Sequence, residues 1–147
     1  MKIALAQINP TIGAFEKNSQ KMLSFIEEAK KRGADLVVFP ELSLVGYPPL
    51  DLLDKEYFVK DNLSFLKRLA SQIKNISAIV GFVDQNTQKK GKRFFNAAAL
   101  ISNGRLIFKH DKALLPSYDV FDETRHFEPA HVLKSTLINQ HKMALSI

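Results

Sequence analysis

The stretch Leu-Val-Val-Phe-Pro-Glu at residues 36–41 decides how the rest of the chain is interpreted. Four apolar residues in a row, ended by Pro40, predict a short strand that is buried on both faces. Glu41 then stands at the carboxyl end of this strand, where open α/β sheets place their ligand sites. The segment therefore predicts an α/β fold with a carboxylate at the edge of its sheet.

The residues before this strand complete a strand–helix–strand unit. Residues 2–8 (KIALAQI) predict a buried strand, and Asn9-Pro10 ends it. Over residues 15–32 the apolar side chains fall on one helical face, and Gly33 stands where a C-terminal cap belongs. Strand, helix and strand with short connections predict a right-handed crossover.

The residues after the strand predict a second helix and a partly antiparallel sheet. Asn103-Gly104 separates two apolar runs and is a strong hairpin signal. Residues 111–135 lack clean periodicity, which in a compact domain favours a functional segment. The predicted elements are a loop at 42–53, a helix at 57–74 and strands at 78–83, 94–102, 106–108 and 143–147.

Composition narrows the protein class. The 147 residues, 46% of them hydrophobic, predict one domain with a real core. Neither a signal peptide nor a membrane-length apolar run is present, so a cytoplasmic protein without membrane contact is expected. The net charge of +6 is dispersed, and its densest run, residues 89–93, predicts a solvated hairpin and no nucleic-acid surface.

Several kinds of site lack sequence support. The chain has no cysteine, which excludes a disulfide framework, Cys-ligated zinc and a thiol nucleophile within these residues. Its six glycines form neither a dinucleotide motif nor a phosphate loop. No metal or cofactor site is expected in this part, because metal-type spacing is absent from the four histidines, His110, His126, His131 and His141.

Two side chains could nevertheless do chemistry. Glu41 can act as a general base, or it can merely bond the amides of the following turn. Lys112 follows another apolar strand and precedes Ala-Leu-Leu, so a buried ammonium would need a nearby acid. A surface lysine with an apolar stem is the alternative. The residues alone leave both alternatives open.

Three segments together resemble the carbon-nitrogen hydrolases of the nitrilase superfamily. They are MKIALAQINPTIGAFEKN at 1–18, VVFPELSLVGYPPLDLL at 37–53 and KHDKALLPSYDVFDETRHFEP at 109–129. The Gly-Tyr-Pro-Pro phrase and the segment after the lysine are similar to the glutaminase domain of glutamine-dependent NAD synthetases. The resemblance implies an α-β-β-α sandwich, of which residues 1–147 would form about the first half.

The resemblance also implies roles for individual residues. In this family a glutamate activates a cysteine thiol, and a lysine ammonium stabilises the tetrahedral oxyanion. Glu41 and Lys112 match those two positions. A second family glutamate, which orients the lysine or the substrate, corresponds to Glu123, with Glu128 as the neighbouring candidate.

The substrate pocket and the nucleophile are implied in the same way. Tyr118 and Phe121 would line the glutamine pocket on the loop after the lysine. In the family an apolar strand ending in isoleucine leads into Cys-Glu-Asp, and this chain ends with Met-Ala-Leu-Ser-Ile at 143–147. The expectation is a glutaminase domain that stops before its nucleophile and is inactive by itself.

The implied longer protein would hydrolyse glutamine and deliver ammonia to a C-terminal synthetase domain. That domain would use ATP and magnesium to make NAD from deamido-NAD, and the whole protein would form a homo-oligomer. Two alternatives remain. One is another small amidase or nitrilase relative, and the other is a catalytically inactive relic that acts by association.

Overall fold

A computed structural model describes residues 1–88, 90–119 and 121–147 of the chain. Lys89, part of the basic run predicted as a solvated hairpin, lies outside the described residues. The elements are β1 (Ile3–Leu5), α1 (Phe15–Lys31), β2 (Leu36–Val38), a 3-10 helix (Leu50–Asp54), α2 (Glu56–Gln72), β3 (Ser77–Gln85), β4 (Phe94–Ser102), β5 (Arg105–Asp111), α3 (Glu123–His126), β6 (Ser135–Ile138) and β7 (His141–Ala144).

One five-stranded mixed sheet organises the fold, in the order β1-β2-β3-β4-β5. The first three strands are parallel, whereas β4 and β5 each run antiparallel to the preceding strand. Asn103 and Gly104, which join β4 to β5, both have positive φ, as the predicted tight hairpin turn requires. The predictions of an α/β fold and of a partly antiparallel sheet are confirmed.

Different elements cover the two faces of the central strands, whereas the edge strand β1 is largely exposed, with Ile3 47% and Leu5 79% exposed, so the prediction of a buried strand at residues 2–8 is wrong. Met22 and Ile26 of α1 and Leu69 of α2 pack on one face, in the larger core. On the other face, a smaller cluster contains Leu36, Ile79, Ala98, Leu100 and Ile138, the last contributed by β6. Residues 36–39 were predicted to form a strand buried on both faces, and Leu36 and Val37 do point into opposite clusters.

The predicted strand over residues 143–147 is wrong in its extent. The structure has a two-stranded hairpin instead, in which β7 pairs antiparallel with β6. Asn139 and Gln140 connect the two strands, and both have positive φ. Asn-Gln is a weaker turn signal than Asn-Gly, so the sequence did not reveal this hairpin. A second difference is the 3-10 helix inside the predicted loop at 42–53.

None of the helices in the described part of the chain is long and apolar enough to cross a membrane.

Candidate active site

Glu41 lies on a tight turn that follows β2 and is fastened to β3. Ser43 N–H donates to Pro40 O at 3.2 Å, and Leu44 N–H donates to Gly81 O at 3.0 Å. The Ser43 hydroxyl in turn accepts the Gly81 N–H at 3.2 Å. Leu42 is fully buried and has φ +46, a left-handed conformation that is strained for a residue with a side chain. The surrounding contacts therefore hold the backbone next to Glu41 in an unfavourable geometry.

Gly81 allows the close approach between this turn and β3. A Cβ atom at position 81 would lie 2.8 Å from Pro40 O and 2.9 Å from the Glu41 carbonyl carbon. These neighbours are backbone atoms, so they cannot move aside as a flexible side chain would. The glycine thus sets the distance of Glu41 from the sheet.

We expect Gly81→Ala to lower the free energy of unfolding by about 1–3 kcal/mol, because the added methyl group must displace the turn. Gly33→Ala is the matched control: it has φ +72 but open space around the added methyl, so only backbone strain is added. Urea denaturation followed by circular dichroism measures both. Backbone chemical shifts around Glu41 should move only in Gly81→Ala, and unchanged shifts there would contradict the close-approach argument.

Lys112 follows β5 directly and is buried, with 8% of its side chain exposed. Its Nζ donates to Glu41 Oε1 at 2.7 Å and lies 3.1 Å and 3.0 Å from the Oε1 and Oε2 atoms of Glu123. Burial by itself lowers the pKa of the Lys112 ammonium, but the hydrogen bonds to the two carboxylates outweigh it and leave that pKa raised. The ammonium is therefore a fixed positive charge between two acids.

Glu123 begins α3, and only 4% of its side chain is exposed. Its Oε1 also accepts the Tyr47 hydroxyl at 2.9 Å. Burial first, and then this hydrogen bond, raise the pKa of Tyr47 well above its usual range, so the phenol stays a donor. The neighbouring candidate Glu128 instead accepts the Lys92 backbone N–H at 2.8 Å and lies 3.5 Å from His131 Nε2. The structure thus brings Glu123 to Lys112 and leaves Glu128 apart.

Two cavities adjoin this charged cluster. Lys112 lines a groove of about 680 Å³ that is mainly apolar, and Glu41 lines a smaller cavity of about 190 Å³. Ile147 lines both of them. Lys112 and Glu41 are therefore reachable from two cavities that share Ile147 as a lining residue.

Of the two predicted pocket residues, Tyr118 lines the larger groove and Phe121 does not. Tyr118 is 69% exposed, which leaves its ring free to contact a ligand. The Phe121 ring packs edge-on against Tyr118, with 5.5 Å between the ring centroids. It also packs against the Tyr47 ring, with 6.1 Å between the centroids. Their roles in substrate binding stay predictions.

Sequence reasoning missed two residues that contact the charged cluster. Tyr47 belongs to the Gly-Tyr-Pro-Pro phrase but was not singled out, because a loop tyrosine gives no local sign of its partner. Asn96 is fully buried, and its Nδ2 donates to Glu41 Oε1 at 2.5 Å. A polar residue inside the apolar run of β4 was the signal that could have revealed it. In the described ranges no group of histidine and acidic side chains is placed to hold a metal ion.

Comparison with known proteins identifies the family of the chain. The profile of the carbon-nitrogen hydrolase family matches residues 2–146. The chain is 38% identical over 149 aligned residues to the glutamine-dependent NAD(+) synthetase of Thermotoga maritima, an alignment that covers 100% of this chain and 25% of that protein. It spans about a quarter of the length of the curated relatives that it matches.

Solved structures agree with this assignment. The glutamine-dependent NAD+ synthetase of Acinetobacter baumannii, solved with ADP, has a TM-score of 0.88 and 38% identity, covering 98% of this chain and 27% of that one. An amidase from Nesterenkonia sp. shares the fold at 20% identity, with a TM-score of 0.81 over 99% of this chain and 54% of its own. The fold is thus part of the α/β architecture of the nitrilase superfamily, and the chain belongs to the carbon-nitrogen hydrolase family.

Proposed function

We propose that this chain is the amide-hydrolysing part of a glutamine-dependent NAD synthetase. The observation that carries the proposal is the buried Lys112 ammonium, held between Glu41 and Glu123 beside an open groove. A charge cluster of this kind next to a cavity is a typical arrangement for acyl-transfer chemistry. The 38% identity to NAD synthetases over the whole chain favours glutamine as the amide.

The proposed chemistry assigns one task to each charged group. Glu41 takes the proton of the attacking nucleophile and returns it to the departing nitrogen. The Lys112 ammonium stabilises the oxyanion that forms when the amide carbonyl is attacked. Glu123 orients that ammonium, and Tyr118 contacts the substrate in the groove.

The nucleophile in this proposal comes from outside these residues, because they contain no cysteine. Ile147 lines the cavities of both Glu41 and Lys112, so a residue after Ile147 in a longer protein would lie beside both groups. We infer a cysteine thiol there. Its thiolate attacks the amide carbon, the C–N bond breaks, and ammonia leaves with the proton that Glu41 held. Water then hydrolyses the thioester to glutamate.

In the longer protein, ammonia would pass to a synthetase domain that uses ATP and magnesium to convert deamido-NAD to NAD. Residues 1–147 would form part of the carbon-nitrogen hydrolase domain of a cytoplasmic homo-oligomer. Glutamine and the synthetase domain are therefore the partners that we propose for this chain.

The test compares the longer protein with the isolated chain. We expect the longer protein to release glutamate from glutamine and to form NAD with either glutamine or ammonium chloride as the nitrogen source. The isolated chain should release no glutamate. A longer protein that hydrolyses simple aliphatic amides or nitriles faster than glutamine would favour the small-amidase alternative instead.

A further inference from the structure

We propose that Asn96 is a positioning residue that determines which oxygen of Glu41 receives the reacting proton. The inference rests on the proposed function, since it concerns the same carboxylate. Asn96 acts through Glu41 and does not line either cavity beside the charged cluster. Its contribution therefore concerns the geometry of the base.

The two oxygens of Glu41 have different surroundings. Oε1 accepts two hydrogen bonds, from Asn96 Nδ2 at 2.5 Å and from Lys112 Nζ at 2.7 Å. A carboxylate oxygen offers about two lone-pair sites, so these donors occupy Oε1 fully. Among the residues that the structure describes, none donates to Oε2. Glu41 lines a cavity and 33% of its side chain is exposed, so we infer that Oε2, which no described donor occupies, is the oxygen that a nucleophile reaches.

Asn96 is also tied to the lysine through its backbone. Its carbonyl oxygen accepts the Lys112 N–H at 2.7 Å, while its side chain donates to Glu41. One fully buried residue of β4 therefore holds the carboxylate by its amide and the start of the lysine segment by its main chain. A shift of Asn96 would move both groups together.

The chemistry of the amide fixes its orientation. Next to a carboxylate it must present its NH₂ group, because its oxygen would be a second acceptor against Glu41. The other end, Oδ1, is then buried and has no hydrogen-bond partner among the described residues. An apolar side chain would avoid this unpaired acceptor, so packing alone does not explain an asparagine at this position. The contact of Asn96 with Glu41 explains why an asparagine stands there.

The other charged or titratable groups that face Glu41 come from three different segments. They are Lys112 after β5, Glu123 at the start of α3 and Tyr47 on the loop after β2. Substitutions at Asn96 remove none of these three side chains. A changed pH profile in such a variant therefore reports the contact between Asn96 and Glu41.

The kinetic test uses the longer protein with glutamine as substrate. Asn96→Ala should lower kcat about 10- to 100-fold while KM changes little, because the general base is misplaced in the transition state. The isosteric Asn96→Asp sets a second carboxylate against Glu41 and should move the acidic limb of the kcat/KM profile upward by about one pH unit or more. Ser102→Ala is the control, because Ser102 lies on β4 like Asn96. This variant removes a hydroxyl that accepts the Ser77 hydroxyl at 3.0 Å.

A merely structural role for Asn96 predicts a different result. Asn96→Ala would then show less folded protein by circular dichroism, yet its kcat per folded molecule and its pH profile would match the wild type. That result overturns the inference. If Asn96→Ala does not fold, Asn96→Asp and Asn96→Ser decide, and Asn96→Ser should keep more activity because its hydroxyl can still donate to Glu41.

Failure of the proposed function is visible separately. If the wild-type protein releases no glutamate, the function fails, and the carboxyl ¹³C signal of Glu41 still tests the positioning. At a fixed neutral pH, Asn96→Ala should shift this signal, because Glu41 Oε1 loses one of its two hydrogen bonds. An identical signal in the wild type and in Asn96→Ala overturns the inference.

Discussion

In the longer protein, replacing Lys112 by methionine is expected to abolish glutamate release and to destabilise the fold by roughly 3–5 kcal/mol, because a buried charge pair loses one partner. Methionine keeps the length of the side chain but leaves the carboxylates of Glu41 and Glu123 without the ammonium that they share. Two acids facing each other in a buried site are unfavourable while both are ionised. Lowering the pH should therefore restore part of the lost stability in Lys112→Met.

The alkaline side of the stability profile gives a second readout for Lys112→Met. Although burial opposes it, the two carboxylates raise the pKa of Lys112 above its ordinary value. The stabilisation that the charged Lys112 provides is then complete at pH values below the pKa of lysine in the unfolded state, about 10.4. It is lost as the pH rises through the higher pKa of Lys112 in the folded state. The wild type should lose this contribution at strongly alkaline pH, and Lys112→Met should show no such loss.

Lys109→Met is the control for this experiment. Lys109 lies in β5, shortly before Lys112, but its side chain is 47% exposed and its partner Asp84 is 13% exposed. A pair with one exposed member is partly screened by water and contributes about 1 kcal/mol or less. Urea denaturation between neutral and alkaline pH compares the two variants. Equal losses of stability would contradict the view that the site is a buried charge cluster.

Glu41→Gln is expected to lower kcat for glutamate release by about 10²–10⁴-fold or more, since an amide cannot accept the proton of the nucleophile. The fold should tolerate the change well. Glutamine has the same shape, it can still accept from Asn96 and Lys112, and Lys112 retains its ion pair with Glu123. The loss should therefore appear in kcat, with a melting temperature close to that of the wild type.

Glu128→Gln is the matched control, because Glu128 lines the same groove as Lys112 but contacts the Lys92 backbone instead. Glutamine can accept that backbone hydrogen bond as well, so activity should change only slightly. Steady-state glutamate release measures both variants. If Glu41→Gln kept activity within tenfold of the wild type while Glu128→Gln lost it, the proposal that Glu41 is the general base would be wrong.

Local patterns in the sequence predicted the elements that depend on neighbouring residues. The apolar face of α1 and the Asn103-Gly104 turn are examples, and both occur where predicted. The sequence did not predict the Asn139-Gln140 turn, because Asn-Gln is not a strong signal for two residues with positive φ. The antiparallel pairing of β6 with β7 closes this turn, and a local pattern cannot report that pairing.

The charged cluster could not have been assembled from local patterns at all. Glu41 and Lys112 are 71 positions apart in the sequence, and Glu41 and Asn96 are 55 apart. Each residue gave a hint by itself: an acid at a strand end, a lysine before an apolar run, an amide inside an apolar strand. Only the sheet order, which sets β2, β4 and β5 within one layer, joins these hints in space.

Leu42, next to the proposed base, meets two demands that few amino acids satisfy together. Its φ of +46 suits glycine or asparagine, whereas its complete burial suits a large aliphatic side chain. Glycine would relax the torsion and open a void, and asparagine would place an amide among apolar neighbours. In a saturation library, position 42 should therefore be almost invariant even though its side chain performs no chemistry. Intolerance to substitution at this position would therefore reflect the backbone shape of the turn and not a catalytic role of the side chain.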